Sequence, residues 1–144
     1  MKNILILLSI CFLISGCNKD DSPNDNNPYL LDPLVGITLN LNLPQYNALK
    51  FTGNSIELAG EGLKGIVVYN INNEQYAAFE LSDPNHIPSG CSKMEVDGII
   101  ATCPCTTDSN EYNIITGQHM LNQNLYPMQR YNAIRTGDVV QISN

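Results

Sequence analysis

Apolar and polar residues alternate along the chain from Leu34 onward, and Gly, Asn or Pro breaks the alternation about every eight to twelve residues. A period of two is typical of strands that bury one face, so we predict an antiparallel β domain with strands in GITLNLNL, SIELA, GIVVYNI, QYAAFEL, SKMEVDG, GIIATC, EYNII, YNAIRTG and DVVQISN. Tight hairpins need residues with positive φ, which are supplied by Gly53-Asn54, Asn72-Asn73, Asp97-Gly98 and Gly137-Asp138. No long helical pattern competes, and PQYNALKF is predicted to form at most one helical turn.

The N-terminus has the pattern of a signal peptide. Lys2 precedes an apolar stretch, Ile4–Ile14, that is too short to span a bilayer. The stretch ends in LISGC, which resembles the bacterial lipobox. This resemblance implies that residues 1–16 are cleaved and that Cys17 is lipidated, which would attach the protein to the membrane. The alternative is an ordinary secretory signal cleaved near Gly16.

Residues 17–33 are rich in Asn, Asp and Pro and are predicted to form a flexible tether, because they offer little apolar surface to bury. Residues 34–144 would form the single β domain. Within the tether, Lys19-Asp20-Asp21 resembles the acidic export signal of Bacteroidetes lipoproteins, although a solvated charge run would look the same. The predicted location is the outer membrane, with the lipoprotein either at the cell surface or on the periplasmic face.

Charge and motif content exclude several functions. The chain of 144 residues has 7 Lys and Arg against 14 Asp and Glu, for a formal net charge of -7. Nucleic acid is therefore an unexpected partner, and the expected contact with membranes is the lipid anchor. We find no Ser-His-Asp arrangement, phosphate loop or catalytic carboxylate pair, so we expect no enzyme activity. His119 is predicted to be a surface residue, and three methionines are assigned to core or edge packing: Met94, Met120 and Met128.

The run from Tyr76 to Gly117, followed by LYPMQRYNAIRTGDVVQISN, resembles a Rieske domain. The family's order is a strand ending in Cys-x-His, a connecting hairpin, a strand ending in Cys-x-x-His, an aromatic residue, a Thr-Gly turn and a closing strand. The resemblance implies an antiparallel β sandwich with two hairpin loops at one end. In the family, each loop gives one Cys and one His to a two-iron, two-sulfur cluster.

The second loop keeps part of the family's pattern. Cys103 matches the cysteine ligand, and Pro104-Cys105 matches the Pro-Cys that follows. Thr106 stands where the second histidine is expected. One imidazole ligand is therefore missing.

The first loop fits the pattern less well. If Phe79 aligns with the aromatic residue of the family's strand, Asp83 stands at the cysteine and Asn85 at the histidine. A shift of one residue recovers His86 as a ligand but places Pro84 at the cysteine, and proline cannot bind iron. The resemblance therefore supports the scaffold and not the cluster.

In several Rieske proteins, a cysteine after the first ligand loop pairs with the cysteine between the two ligands of the second. The resemblance thus implies a disulfide between Cys91 and Cys105, which an oxidising compartment favours. The alternative is a zinc or iron site that uses His86, Cys91, Cys103 and Cys105, because three sulfurs and one nitrogen suit tetrahedral zinc. We expect a binding or structural module without a cofactor; the alternative is an electron-transfer protein with an iron–sulfur cluster or single metal and unusual ligands.

Overall fold

A computed structural model describes residues 27–144, which form nine strands and one 3₁₀ helix. All nine predicted strands are present, so the predicted all-β fold is confirmed. The strands are β1 Gly36–Asn40, β2 Ser55–Leu58, β3 Ile66–Asn70, β4 Tyr76–Glu80, β5 Glu95–Asp97, β6 Ile100–Thr102, β7 Glu111–Asn113, β8 Arg130–Thr136 and β9 Val139–Ser143.

The strands form two antiparallel sheets. The larger sheet has six strands in the order β1-β9-β8-β4-β3-β2, and the smaller has three in the order β5-β6-β7. Every residue of β3 and β4 is buried. These two strands therefore lie at the centre of the fold, with apolar contacts on both faces.

Each face of β3 and β4 belongs to its own hydrophobic core, because successive side chains point to opposite faces. Ile66 and Val68 of β3 pack with residues of β1, β8 and β9, whereas Val67 and Tyr69 pack toward the three-stranded sheet. The second core also contains Phe79, Met94, Cys103, Cys105, Tyr112, Ile114 and Met128. The small sheet is thus fixed to the large one by a core that reaches the cysteine loops.

The turns follow the sequence prediction, because Gly53, Asn73, Gly98 and Gly137 all have positive φ. The helical prediction was too short: the 3₁₀ helix extends over Pro44–Lys50, roughly two turns at about three residues per turn. Two buried hydrogen bonds hold its end, since both the Asn70 Nδ2 group and the Tyr76 hydroxyl donate to the Leu49 carbonyl. These long-range contacts are not visible in the local sequence.

The segment before β1 contacts the domain. Asn27 Nδ2 donates to the Pro84 carbonyl at 2.8 Å, and Asp32 Oδ1 accepts from Gln129 Nε2 at 2.7 Å. The predicted signal peptide, Cys17 and the Lys19-Asp20-Asp21 signal lie outside the described residues. Within residues 27–144, no helix has the length and apolar character needed to cross a bilayer.

Candidate functional site

Three loops meet at one end of the domain, which we call the tip. Loop 1 (81–94) leaves β4, loop 2 (103–110) leaves β6, and loop 3 (118–129) leads from β7 to β8. Loops 1 and 2 are joined by a disulfide between Cys91 and Cys105, whose Cα atoms are 5.2 Å apart.

Loop 3 starts beside a close contact. Gly117 has φ of +79°, and a Cβ there would lie 2.5 Å from Phe79 Cε1. Only glycine avoids both the backbone strain and this overlap. The Thr-Gly turn thus lets loop 3 pass tightly over β4 on its way to the tip.

Asp83 is the centre of a buried polar network in loop 1. Its side chain is fully buried, and its Oδ1 accepts from the Tyr112 hydroxyl at 2.8 Å and from the Asn85 backbone amide at 2.9 Å. Its Oδ2 accepts from Asn110 Nδ2 at 2.9 Å. Burial of a carboxylate is unfavourable unless it is well hydrogen-bonded, so these three donors stabilise Asp83 in its buried position.

Asn85 extends the network to loop 3. Its Nδ2 group donates both to the Tyr112 hydroxyl and to the Tyr126 carbonyl, each at 2.8 Å. Its Oδ1 accepts from the Tyr126 backbone amide at 3.0 Å. Both donor hydrogens and the oxygen of the amide are therefore used, and all three loops are cross-linked.

The phenol of Tyr112 is held as a donor. Burial raises the pKa of Tyr112 well above its usual value, and the Asp83 carboxylate acts in the same direction, whereas the hydrogen bond from Asn85 opposes it. The phenol therefore keeps its proton over the ordinary pH range and donates a hydrogen bond to Asp83.

Cys103 is the one free thiol among the described residues, and it is 3% exposed. Burial raises the pKa of Cys103 from 9.0 to about 12; a backbone hydrogen bond from Cys105 opposes this, and the nearby Asp83 and Asp108 side chains add to it. A thiol of this kind remains neutral and unreactive at ordinary pH.

The predicted cluster positions are only partly brought together. Asp83 and Asn85 share one network, and Cys103 borders it through Asp83. Thr106 is exposed and takes no part in it. His86 lies instead beside the disulfide, with its Nε2 3.7 Å from Asp108 Oδ2.

His119 corrects a sequence prediction, because it is 8% exposed rather than a surface residue. Its Nδ1 accepts from the backbone amides of Leu121 and Asn122, each at 3.1 Å. Its ring packs edge-on against Tyr112, with centroids 5.1 Å apart. A lone histidine in a polar loop gives no local signal of this role, since the contact to Tyr112 depends on the bridge between β7 and loop 3.

The methionine assignments have a mixed outcome. Met94 is 0% and Met128 is 1% exposed, and both belong to the second core, as predicted. Met120 is 44% exposed and packs in neither core.

The side chains at the tip do not fit a two-iron, two-sulfur cluster of the Rieske kind. Such a cluster needs two thiolates and two imidazoles, and of the four matched positions only Cys103 offers a suitable atom. The Asp83 carboxylate already accepts from Tyr112, Asn110 and the Asn85 backbone amide. The Asn85 side chain is bonded to Tyr112 and Tyr126, and the Thr106 side chain has no nitrogen. Two other groups have ligand-type atoms within 4.8 Å of one another: His86, Cys91 and Cys105, and Cys103, Cys105 and Asp108.

Comparison with protein-family models finds no match, and no curated protein is similar. Some solved structures are similar at low sequence identity. A chain from a complex of reduced oxygenase and oxidized ferredoxin in carbazole 1,9a-dioxygenase is 21% identical with a TM-score of 0.44, covering 64% of this chain and 82% of its own. The ferredoxin of carbazole 1,9a-dioxygenase from Nocardioides aromaticivorans is 12% identical, with a TM-score of 0.44 over 65% and 86% of the two chains.

A Sphingomonas yanoikuyae ferredoxin has the same TM-score of 0.44 and is 18% identical, covering 65% of this chain and 88% of its own. These chains are what the domain is similar to. Identities this low say nothing about ligands, and TM-scores below 0.5 support no argument about fold family or function. The chemistry of this domain therefore has to be derived from its own tip.

Proposed function

We propose that this protein is a lipid-anchored envelope protein whose Rieske-like domain works without an iron–sulfur cluster, as a non-catalytic binding or structural module. The observation that carries the proposal is the environment of Asp83. In the alignment through Phe79, a carboxylate stands where the family has a cysteine ligand, and three donors occupy its oxygens.

Binding iron at this position would compete with those donors, because three of the roughly four lone-pair sites of the carboxylate are already occupied. A shift of the carboxylate toward iron would leave Tyr112 or Asn110 without its acceptor. Leaving a buried polar group without a partner costs about 1–3 kcal/mol. The network therefore favours the cluster-free state over a cluster with an oxygen ligand.

Metal and sulfide analysis tests the proposal. The full-length protein would be produced together with iron–sulfur assembly proteins, with a similar ferredoxin produced in parallel as a loading control. We expect the ferredoxin to be coloured and this protein to be colourless, without stoichiometric iron or sulfide. A brown protein with about two irons per chain, and a paramagnetic signal after reduction, would contradict the proposal.

The membrane attachment is supported by the LISGC sequence and is tested separately. Cys17→Ser should release the protein from membranes or leave the precursor uncleaved, and it should abolish labelling by fatty acid. The matched control is Cys11→Ser, which changes a cysteine inside the predicted signal and should leave attachment intact. An unchanged membrane fraction for Cys17→Ser would contradict the anchor.

The proposed location at the cell surface is inferred from Lys19-Asp20-Asp21. Replacement of these three residues by alanine should leave the protein lipidated but protect it from protease added to intact cells. If the unaltered protein is already protected, the periplasmic face is the correct location.

A second candidate is electron transfer through a metal with unusual ligands. The two groups of ligand-type atoms at the tip favour it, and the names of the similar structures fit it better than a binding module, although likenesses this weak add no weight. The same metal analysis separates the two candidates, since an electron carrier must contain a redox-active metal.

A further inference from the structure

The disulfide at the tip is surrounded by side chains that can bind metals. Sγ of Cys91, Sγ of Cys105 and a ring nitrogen of His86 lie within 4.8 Å of one another. Cys105 also lies within this distance of an Asp108 oxygen, and Asp108 Oδ2 is 3.7 Å from His86 Nε2. Tetrahedral zinc with Zn–S bonds of about 2.3 Å holds its ligand atoms roughly 3.8 Å apart. Once the S–S bond is broken, small shifts would bring the atoms of His86, Cys91 and Cys105 to that spacing, and Asp108 would have to approach Cys91 to complete the site.

His86 is oriented as a metal-binding histidine. Its Nδ1 is 2.6 Å from the Ile87 carbonyl oxygen, which can only accept, so we assign the Nδ1 proton to this hydrogen bond. In the neutral ring, Nε2 then has its lone pair free on the side of Asp108. Metal-bound histidines usually have their second nitrogen fixed by such a carbonyl or carboxylate.

Asp108 is a candidate fourth ligand. Its side chain is 25% exposed, and it lies between His86, whose Nε2 is 3.7 Å from Asp108 Oδ2, and the thiol of Cys103. A cation between His86 and Asp108 would be bound by a nitrogen and a carboxylate oxygen, both of which are ligands that zinc accepts.

We propose that reduction of the Cys91–Cys105 disulfide converts the tip into a zinc site with His86, Cys91, Cys105 and Asp108 as ligands. The reductant would be a dithiol, such as the active site of a thiol–disulfide exchange protein. Its two thiols become a disulfide as the S–S bond between Cys91 and Cys105 breaks, and two electrons and two protons pass to these cysteines. Zinc then displaces the two thiol protons, which leave to solvent.

The disulfide is what closes the site to metal. Bonded sulfurs are not thiolates and bind zinc poorly, whereas each thiolate is a strong ligand. Cys91 is exposed and both His86 and Asp108 are partly exposed, so a metal ion can reach the site. Cys103 also has its sulfur within 4.8 Å of the ligand atoms of Cys105 and Asp108, but it is 3% exposed and lies on the buried side, so we leave it out of the ligand set.

This inference goes beyond the cluster-free module, and its test is independent of iron. The full-length protein would be reduced with a phosphine, freed of reductant under argon and titrated with Zn²⁺ against a chromophoric chelator. The oxidised protein would be titrated in parallel. We expect stoichiometric zinc binding by the reduced protein only, and cobalt in place of zinc should give the intense absorption of cobalt–thiolate bonds.

Variants identify the ligands. Loss of a residue that only hydrogen-bonds to a ligand lowers metal affinity by roughly 10- to 100-fold. His86→Gln and Asp108→Asn each remove a ligand, so each should lower the affinity for zinc by more than that. Asp97→Asn, in the exposed β5–β6 hairpin, is the matched control and should leave the affinity unchanged. Circular dichroism of each reduced variant separates lost ligands from lost folding.

Three results would overturn the inference. The first is a folded, reduced protein that binds no zinc, and the second is equal affinity in the oxidised and reduced states. The third is loss of binding in Cys103→Ala while Asp108→Asn binds normally, which would assign the fourth ligand to Cys103. Absence of iron from the same preparations would still leave the proposed function intact, so the two proposals can fail separately.

Discussion

Removal of the Cys91–Cys105 bond should destabilise the domain by an amount that follows from the length of the loop it closes. The two cysteines are 14 positions apart. For a closed loop of about 15 residues, the chain-entropy model gives a stabilisation of about 3 kcal/mol at 25 °C. Small domains are stable by only about 5–15 kcal/mol in total, so the bond would supply a large part of the stability.

Cys91→Ala is the most direct change, because Cys91 is exposed and its replacement leaves no buried cavity. Urea unfolding followed by circular dichroism, with a chelator present so that zinc cannot restabilise the reduced tip, should show a loss of about 3 kcal/mol. Ser89→Ala is the matched control, since the Ser89 hydroxyl contacts Cys91 Sγ at 3.3 Å without taking part in the bond; it should change stability by less than about 0.5 kcal/mol.

The reasoning fails if Cys91→Ala is as stable as the unaltered protein. It fails equally if a non-reduced digest shows Cys103, rather than Cys91, bonded to Cys105. Treatment of the unaltered protein with reductant and chelator should reproduce the destabilisation of the variant. If it does not, the loss in the variant comes from packing and not from the bond.

Three further predictions concern buried groups. Tyr112→Phe removes the donor to Asp83 Oδ1 and should cost about 1.5–3 kcal/mol in urea unfolding, as expected for a hydrogen bond to a charged group; Tyr46→Phe, whose ring is half-buried, should be near neutral. Folding raises the pKa of Cys103 from 9.0 to about 12, so above pH 9 only the unfolded chain loses this proton and the free energy of unfolding should fall by up to about 1.4 kcal/mol per pH unit. Cys103→Ala should remove this contribution to the slope between pH 9 and 10. An unchanged slope in the variant would refute the assignment. Gly117→Ala should destabilise by about 2 kcal/mol or more because of its φ and the contact with Phe79, whereas Gly36→Ala, which meets nothing within 4 Å, should have little effect.

The strands were predictable because each one carries its own local signal. β3 and β4 lie in the predicted strands GIVVYNI and QYAAFEL, which are separated by a turn at Asn72-Asn73, and β8 and β9 lie on either side of a turn at Gly137. Such patterns depend only on residues a few positions apart. The number and order of strands along the chain therefore follow from the sequence without any knowledge of long-range contacts.

The tip was less predictable because its contacts join residues that are distant in the sequence. Asp83 meets Tyr112 across 29 positions, and Asn85 meets Tyr126 across 41. No local pattern distinguishes these side chains from solvated loop residues. The burial of His119 was missed for the same reason, since it depends on contact with Tyr112.

On the proposed function, the tip keeps its shape through cross-links of a different chemistry. In the family that the chain resembles, one cluster ties two loops together through four ligands. Here the Cys91–Cys105 bond joins loops 1 and 2 at the surface, and the contacts from Asp83 to Tyr112 and Asn110 join loop 1 to residues that follow loop 2 or end it. Asn85 adds loop 3, which a four-ligand cluster does not bind directly. A chain without the thiolate and imidazole ligands would lose the arrangement of its three loops unless such links replaced them. Asp83, Asn85 and the disulfide therefore act as one structural unit. Because each holds the loops in place for the others, the stability losses from changing any two of them should be less than additive.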